Sequence, residues 1–209
     1  MDIIEKLNWR YATKKFDDSK KLSKGKIEVL KQAFNLTPTS YGLQTMKLII
    51  VSDDETKSKL VSLCYGQEQV KNASHVLAIC VQDEVNENDV DDHFDNIKSI
   101  RNTPELILSK YRKEQKEFLK KRTRKDIKNW CEKQAYIALG NLMTVCAVEG
   151  IDACPMEGFL PDKVDELLVL NKRHLKSVLL LPVGYRAQDD MFADFKKVRK
   201  EIEKTVIEL

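Results

Sequence analysis

The sequence predicts a layered α/β or α+β protein in which helices cover a small sheet. Two observations predict it. Short runs of β-branched and aliphatic residues alternate with longer stretches whose apolar residues recur every three or four positions, an order that fits strands packed beneath helices. Composition agrees, with 42% hydrophobic and 33% charged residues over 209 positions. That length is slightly above the commonest domain size and long enough for a large core. Residues 1–209 therefore read as a single domain, with no internal repeat, low-complexity linker or Pro/Ser-rich boundary to divide them.

Ile3, Ile4 and Leu7 mark a short first helix, and Ile27, Leu30 and Phe34 a second that ends near Leu36, before Pro38. Leu48-Ile49-Ile50-Val51 and Val76-Leu77-Ala78-Ile79-Cys80-Val81 suit buried strands, and Asp53 or Asp54 caps the helix between them. After Gln82 an acidic stretch leads into helical patterns over 86–102 and 105–121. There Thr103-Pro104-Glu105 reads as cap, first-position proline and first-turn acid. The longest helical pattern runs from about Lys125 to Glu149 and is stopped by Gly150. Its Ala135, Ala138, Gly140 and Ala147 allow close approach of another backbone, which fits either an internal core helix or a subunit interface. A short segment Asp152-Ala153-Cys154, a helix near 161–170, the apolar strand Val178-Leu179-Leu180-Leu181 and a C-terminal helix from about Asp194 complete the order.

The net charge of +3 comes from 36 basic and 33 acidic residues that are well mixed, so nothing in the balance favours nucleic acid or anionic lipid. The dense run Lys120-Lys121-Arg122-Thr123-Arg124-Lys125 lies at helical spacing among Glu114, Glu117 and Asp126 and lacks interleaved aromatics. It reads as a solvated helical face rather than the patch of a non-enzymatic nucleic-acid-binding domain. No apolar stretch reaches the ~18 residues a membrane span needs, and the start lacks a basic segment followed by a long apolar one. A cytoplasmic protein with no membrane partner is expected. Cys64, Cys80, Cys131, Cys146 and Cys154 are odd in number and include no Cys-x-x-Cys pair, so neither a disulfide framework nor a zinc site is indicated. Cys80 and Cys146 read as small buried hydrophobes, and Cys154, beside Pro155, is the one to watch. His75, His93 and His174 are scattered, with His75 at the edge of a strand. There is no Gly-x-Gly-x-x-Gly turn, and Lys24-Gly25-Lys26 is only a fragment of a phosphate-cradling loop. Obvious nucleophiles and metal ligands are missing.

Two N-terminal segments carry the chemistry. Arg10-Tyr11-Ala12-Thr13-Lys14 sets a guanidinium and an ammonium four residues apart, which suits a polyanionic, partly planar ligand such as a nucleotide phosphate tail. Thr37-Pro38-Thr39-Ser40-Tyr41-Gly42-Leu43-Gln44 suits a loop whose backbone approaches that ligand. Further blocks follow in order: Ala73-Ser74-His75-Val76, Lys133-Gln134-Ala135-Tyr136 with Gly140-Asn141, Pro155-Met156-Glu157-Gly158-Phe159, and Pro182-Val183-Gly184-Tyr185 with Lys197-Val198-Arg199. On these blocks the chain resembles the oxygen-insensitive NAD(P)H nitroreductase and dihydropteridine reductase family of FMN flavoproteins.

The resemblance implies an α+β nitroreductase fold, a mixed and largely antiparallel sheet surrounded by helices, in a homodimer of intertwined subunits with flavin sites across the interface. It implies an FMN-dependent NAD(P)H oxidoreductase that reduces nitroaromatics, quinones or related electrophiles by ping-pong hydride transfer. The alternative on the same fold is a dihydropteridine, enone or flavin reductase. No catalytic side chain is then required, because flavin N5 accepts and donates the hydride. By the same resemblance Arg10, Lys197 and Arg199 hold the FMN phosphate, and Tyr11, Ala12 and Thr13 pack along the ribityl chain. Lys14 sits at the pyrimidine end near N1 and O2. Pro155, Met156, Glu157 and Gly158 pass beside the ring, with the N–H groups of Glu157 and Gly158 aimed toward N5 and O4. Pro38, Thr39 and Ser40 come from the partner subunit, in the loop that also carries Gly42. Gln67 and Gln69 bond the pyrimidine edge as neutral amides, where relatives often carry Asn and Lys. Gly42 stands where relatives often have Asn, and Met46 where they have an aromatic, so side-chain contacts of this loop are thinner. Tyr41 and Leu119 line the substrate pocket, Leu119 in a place where relatives can carry a stacking aromatic.

Overall fold

A computed structural model describes residues 2–209; Met1, the first residue of the N-terminal block, lies outside the described residues. Four strands form one sheet: β1 (Met46–Val51), β2 (His75–Gln82), β3 (Asp152–Ala153) and β4 (Leu175–Gly184), in the order β1-β2-β4-β3. Each neighbouring pair is antiparallel, with Ile49 opposite Ala78 and Ala78 opposite Leu180. The central strands read as unbroken apolar runs because both faces are covered. Leu77, Ile79, Val81, Leu179 and Leu181 enter one core, while Val76, Ala78, Cys80 and Leu180 enter the other, as the two-residue repeat of a strand requires.

The helices are α1 (Ile3–Trp9), α2 (Lys24–Asn35), α3 (Asp54–Leu63), the single turn α4 (Gln69–Asn72), α5 (Glu87–Arg101), α6 (Glu105–Lys120), α7 (Arg124–Val148) and α8 (Pro161–Leu167). Their ends follow from local chemistry. Asp53 caps α3, accepting the Thr56 N–H at 2.7 Å. Thr123 and Asp126 form a reciprocal capping box at the start of α7, and Gly150, at φ +64°, takes the left-handed conformation that ends it.

Two expectations are corrected, and a third, left open between core and interface, is decided for the core. Thr103 does not cap α6: Pro104 itself is the N-cap, extended at φ −61° and ψ 142°, and Glu105 opens the helix. No α-helix starts at Asp194. A 3-10 turn at Met191–Asp194 gives way to irregular chain and one further 3-10 turn at Ile202–Lys204. Val198, Ile202, Val206 and Ile207 have helix-like spacing but stay exposed; with no surface to pack against, a short helix is marginal. On α7, Ala135, Ala138 and Ala147 are fully buried in the chain's own core, so a charge at Ala138 would strike the core rather than an interface. Gly140 faces elsewhere, and among the described residues nothing beyond its chain neighbours and its own helix backbone lies within 4 Å of where a Cβ would stand.

Candidate functional site

Residues 10–17 run as an extended strip along the end of the sheet. Arg10 caps the C-terminal end of α1, donating its N–H to the Lys6 carbonyl at 3.1 Å. Ala12 bridges Ala153 in parallel and Thr13 donates to the Ala153 carbonyl at 3.2 Å. Phe16 bridges Arg186, Asp17 donates to the Tyr185 carbonyl at 2.8 Å, and the Lys15 carbonyl accepts from Ala187 at 2.9 Å. After β4 the chain therefore returns beside this strip. Residues 192–199 then face residues 8–14 across a cavity of about 430 Å³.

Arg10, Lys14, Lys196, Lys197 and Arg199 line the cavity and no Asp or Glu does; Trp9, Tyr11 and Phe192 add aromatic surface. Lys197 Nζ donates to the Arg10 carbonyl, and among the described residues Arg199 reaches only the Val198 carbonyl, at 2.6 Å. Burial pushes the Arg10 pKa down, and the nearby Arg199 pushes it further. Lys197 is lowered in the same way, by burial and then by Arg10 and Arg199. The cations repel one another with no acid in the lining to relieve them.

Two buried carboxylates stand behind the wall. Asp152 accepts the Arg186 N–H at 2.8 Å and its Nε at 2.7 Å, and that guanidinium lies over the rings of Trp9 and Tyr11, 4.3 and 4.6 Å from their centroids. Asp190 accepts the Tyr11 hydroxyl at 2.8 Å, the Lys14 N–H at 2.9 Å and the Lys15 N–H at 3.0 Å. Thr13 is fully buried, its hydroxyl without a partner among the described residues.

The other expected residues lie outside this lining. Met156 pairs with Leu180 through both backbone groups, at 2.8 and 3.0 Å, and its side chain belongs to the core. The Glu157 and Gly158 N–H groups have no partner among the described residues. Gln67 donates to the Gly158 and Cys64 carbonyls, both at 3.0 Å, so its amide nitrogen is engaged inside the chain. Gln69 opens α4 and its side chain makes no hydrogen bond among the described residues. Glu157 accepts from the Tyr136 hydroxyl at 2.6 Å. Pro155 precedes this turn, partly exposed.

The loop holding Pro38, Thr39, Ser40 and Gly42 packs on α7 instead, where the Ser40 N–H donates to Gln134 Oε1 at 2.8 Å. Tyr41 and Gly42 are left-handed, at φ 59° and 73°. A Cβ at Gly42 would come within 2.9 Å of the His93 ring, so an asparagine there would displace that histidine. The exposed Tyr41 ring meets Phe118 edge-on at 4.7 Å, and Phe118 in turn meets Trp130 at 5.7 Å. Leu119 points the other way. It is 4% exposed within the main core, since the inward stripe of α6 runs through Leu108, Gln115 and Leu119. Phe118, one position before it, is the residue that faces Tyr41. Cys154 is buried like the other cysteines, and burial pushes its thiol pKa up, away from a reactive thiolate.

The structure thus gathers Arg10, Tyr11, Ala12, Lys14, Lys197 and Arg199 around one cavity. Sequence reasoning missed Asp190, Asp152 and Arg186. Asp190 meets its N-terminal partners across more than 170 positions, and no local pattern announces such a pairing.

Comparison with known proteins places this geometry in context. Residues 7–185 match the model of the nitroreductase family. A Staphylococcus haemolyticus protein named "Putative NAD(P)H nitroreductase" is 32% identical over 197 residues, covering 90% of this chain and 89% of its own. Among solved structures, a Bacillus subtilis protein described as the putative nitroreductase ydfN superposes with a TM-score of 0.88 at 20% identity, over 99% of this chain and 98% of that one. A putative nitroreductase from Exiguobacterium sibiricum, solved in complex with FMN, gives 0.85 at 20% identity over 100% and 98%.

Proposed function

The chain belongs to the nitroreductase family and is an oxidoreductase, and from that premise we propose an FMN-dependent enzyme that takes electrons from NAD(P)H and passes them to small electrophiles such as nitroaromatics and quinones. The observation that carries this reading is the cavity of mutually repelling cations with no acid in its lining. A phosphate dianion relieves that repulsion with charge-assisted bonds, and about 430 Å³ is within the usual size range of cofactor sites.

Arg10, Lys197 and Arg199 hold the phosphate, with the ring of Tyr11 and the backbone of Ala12 along the ribityl chain, while Thr13, expected beside them, is fully buried outside the lining. Lys14 supplies a cation at the pyrimidine end. The partnerless N–H groups of Glu157 and Gly158 are fixed donors for the ring, and Gln67, bound to the Gly158 carbonyl, holds that turn in shape. Gln69 adds a neutral amide at the same edge. FMN, when bound, supplies a flavin N5 that accepts and donates hydride. With one binding space for reducing and oxidising substrates, each leaves before the other enters, which is ping-pong order.

The reading includes one domain and a homodimer. α1 buries no residue of its own, and Ile3, Ile4, Leu7, Tyr136 and Ile137 leave an apolar surface uncovered, which a second copy fits. That copy brings its Pro38–Gly42 loop, Tyr41 included, to the site. No described helix is long and apolar enough to cross a membrane; a cytoplasmic setting is part of the proposal.

Purified protein is expected to be yellow, and addition of NADH or NADPH without oxygen to bleach it. Arg199→Ala is expected to lose on the order of 1.5–3 kcal/mol of FMN affinity, roughly 10- to 150-fold, and far less affinity for riboflavin. Protein that stays colourless after added FMN overturns the reading, and equal losses for FMN and riboflavin remove Arg199 as the phosphate ligand.

A further inference from the structure

We propose that Asp190 is a positioning residue: its buried carboxylate fixes the spacing of the two chain segments whose cations face each other across the anion cavity. The inference rests on the FMN reading for its main probe.

The cavity has two walls that are remote in sequence, residues 8–14 and residues 192–199. Like charges on both walls push them apart, and the lining has no acid to oppose this. Asp190 stands just outside the lining and is bonded to both walls. Its Oδ2 accepts from Tyr11 Oη at 2.8 Å, Lys14 N at 2.9 Å and Lys15 N at 3.0 Å, all on the first wall. Its Oδ1 accepts the Phe192 N–H at 3.2 Å, at the start of the turn that leads into the second. The side chain is 4% exposed, so water does not replace these bonds, and the donors exceed what a neutral amide can accept at one oxygen. Burial alone pushes the Asp190 pKa up, but hydrogen bonds from Lys15, Tyr11, Lys14 and Phe192 outweigh it and hold the group below the usual carboxylate range. The carboxylate is thus ionised at neutral pH, drawing both walls toward a charge that does not occupy the cavity.

Two further consequences follow. Tyr11, whose ring lies under the Arg186 guanidinium, is fixed at its hydroxyl by Asp190. Lys14 has its backbone N–H fixed while its side chain stays exposed, so the root of that ammonium is set by Asp190 although the two groups do not pair.

The test compares wild type with Asp190→Asn and with Asp165→Asn. Asp165 is an equally buried carboxylate that accepts the Ser177 N–H at 2.8 Å and hydroxyl at 2.6 Å and does not line the cavity. FMN and riboflavin dissociation constants are measured by titration of apoprotein, and melting temperature with and without inorganic pyrophosphate. Asp190→Asn is expected to weaken FMN roughly 10- to 100-fold, by analogy with groups that orient metal-binding residues from behind, and riboflavin less. It is also expected to lose most of the stabilisation by pyrophosphate. Asp165→Asn is expected to lower the melting temperature while leaving both affinities unchanged. An unchanged FMN affinity in Asp190→Asn, or an equal loss in Asp165→Asn, overturns the proposal. If wild type binds no FMN, the functional reading fails, and the pyrophosphate arm alone decides: an equal gain in wild type and Asp190→Asn overturns the brace. Should Asp190→Asn not fold, Tyr11→Phe keeps the ring and removes one donor; several-fold weaker FMN binding supports the brace, and unchanged binding overturns it.

Discussion

Lys57 is fully buried, its ammonium held by the Ala73 carbonyl at 2.8 Å and by Asp54 at 2.9 Å, and it sets the electrostatics of its neighbour His75. Burial pushes the His75 pKa below its ordinary 6.5, and the charges of Lys57 and Lys21 push it further. The Ser74 hydroxyl accepts the Leu22 N–H at 2.7 Å and lies 2.9 Å from His75 Nδ1; its proton then points to Nδ1, which suits a neutral ring. Since the folded pKa is the lower one, the unfolded chain binds more protons as pH falls through 6.5. Stability is therefore retained above that value and lost progressively toward the folded pKa. His93, lowered by burial and by Arg101, adds a loss of the same sign. Thermal melts from about pH 7.5 to 5.5 should show a falling Tm, and His75→Gln should reduce the fall while His93 preserves part of it. Identical falls in both proteins would remove His75 from this account.

At the scale of elements, what could be read from sequence was whatever local chemistry decides. β2 and β4 announced themselves because burial on both faces demands an unbroken apolar run. Asp53 and Gly150 marked helix ends because a capping carboxylate and a left-handed residue act within a few positions. The supposed helix after Asp194 failed for the opposite reason: its three- and four-residue spacing is real, but only a packing surface turns spacing into helix. The register of α6 behaved similarly: the resemblance set Leu119 in the pocket, whereas Leu119 turns into the core and Phe118, one position earlier, faces Tyr41. Thr123 was hidden within a basic run, yet its hydroxyl accepts the Asp126 N–H at 3.1 Å while Asp126 accepts from Thr123. Thr123→Ala should therefore cost about 1 kcal/mol and lower the Tm by roughly 2–4 °C. Chemical denaturation measures it, and a change within error would assign the start of α7 to tertiary packing alone.

For the whole molecule, the legible part of the site was its charge and the hidden part was its support. Arg10 and Lys14 stood out by spacing, and Lys197 and Arg199 by resemblance, whereas Asp190 and Asp152 act through partners no window of sequence contains. The proposed homodimer belongs to the same scale. α1 has apolar residues at helical spacing and buries none of them, and on α7 the face carrying Tyr136, Ile137 and Gly140 is open while the alanine face is full. The loop expected beside the flavin packs on α7, outside the cation cavity. In the homodimer proposed above, a second copy would cover α1 and the open face of α7 and bring its own loop to the first copy's cavity. Ile137 is 45% exposed, so Ile137→Glu leaves the core of the chain intact but buries an unpaired charge in the proposed pair, at a cost of several kcal/mol. The variant should elute as a folded monomer by size-exclusion chromatography with light scattering, with normal far-UV circular dichroism, and should bind FMN at least about tenfold more weakly, the equivalent of 1.4 kcal/mol. A folded monomer that retains stoichiometric FMN would show that one chain completes the site, and a variant that remains dimeric would place the interface on another face.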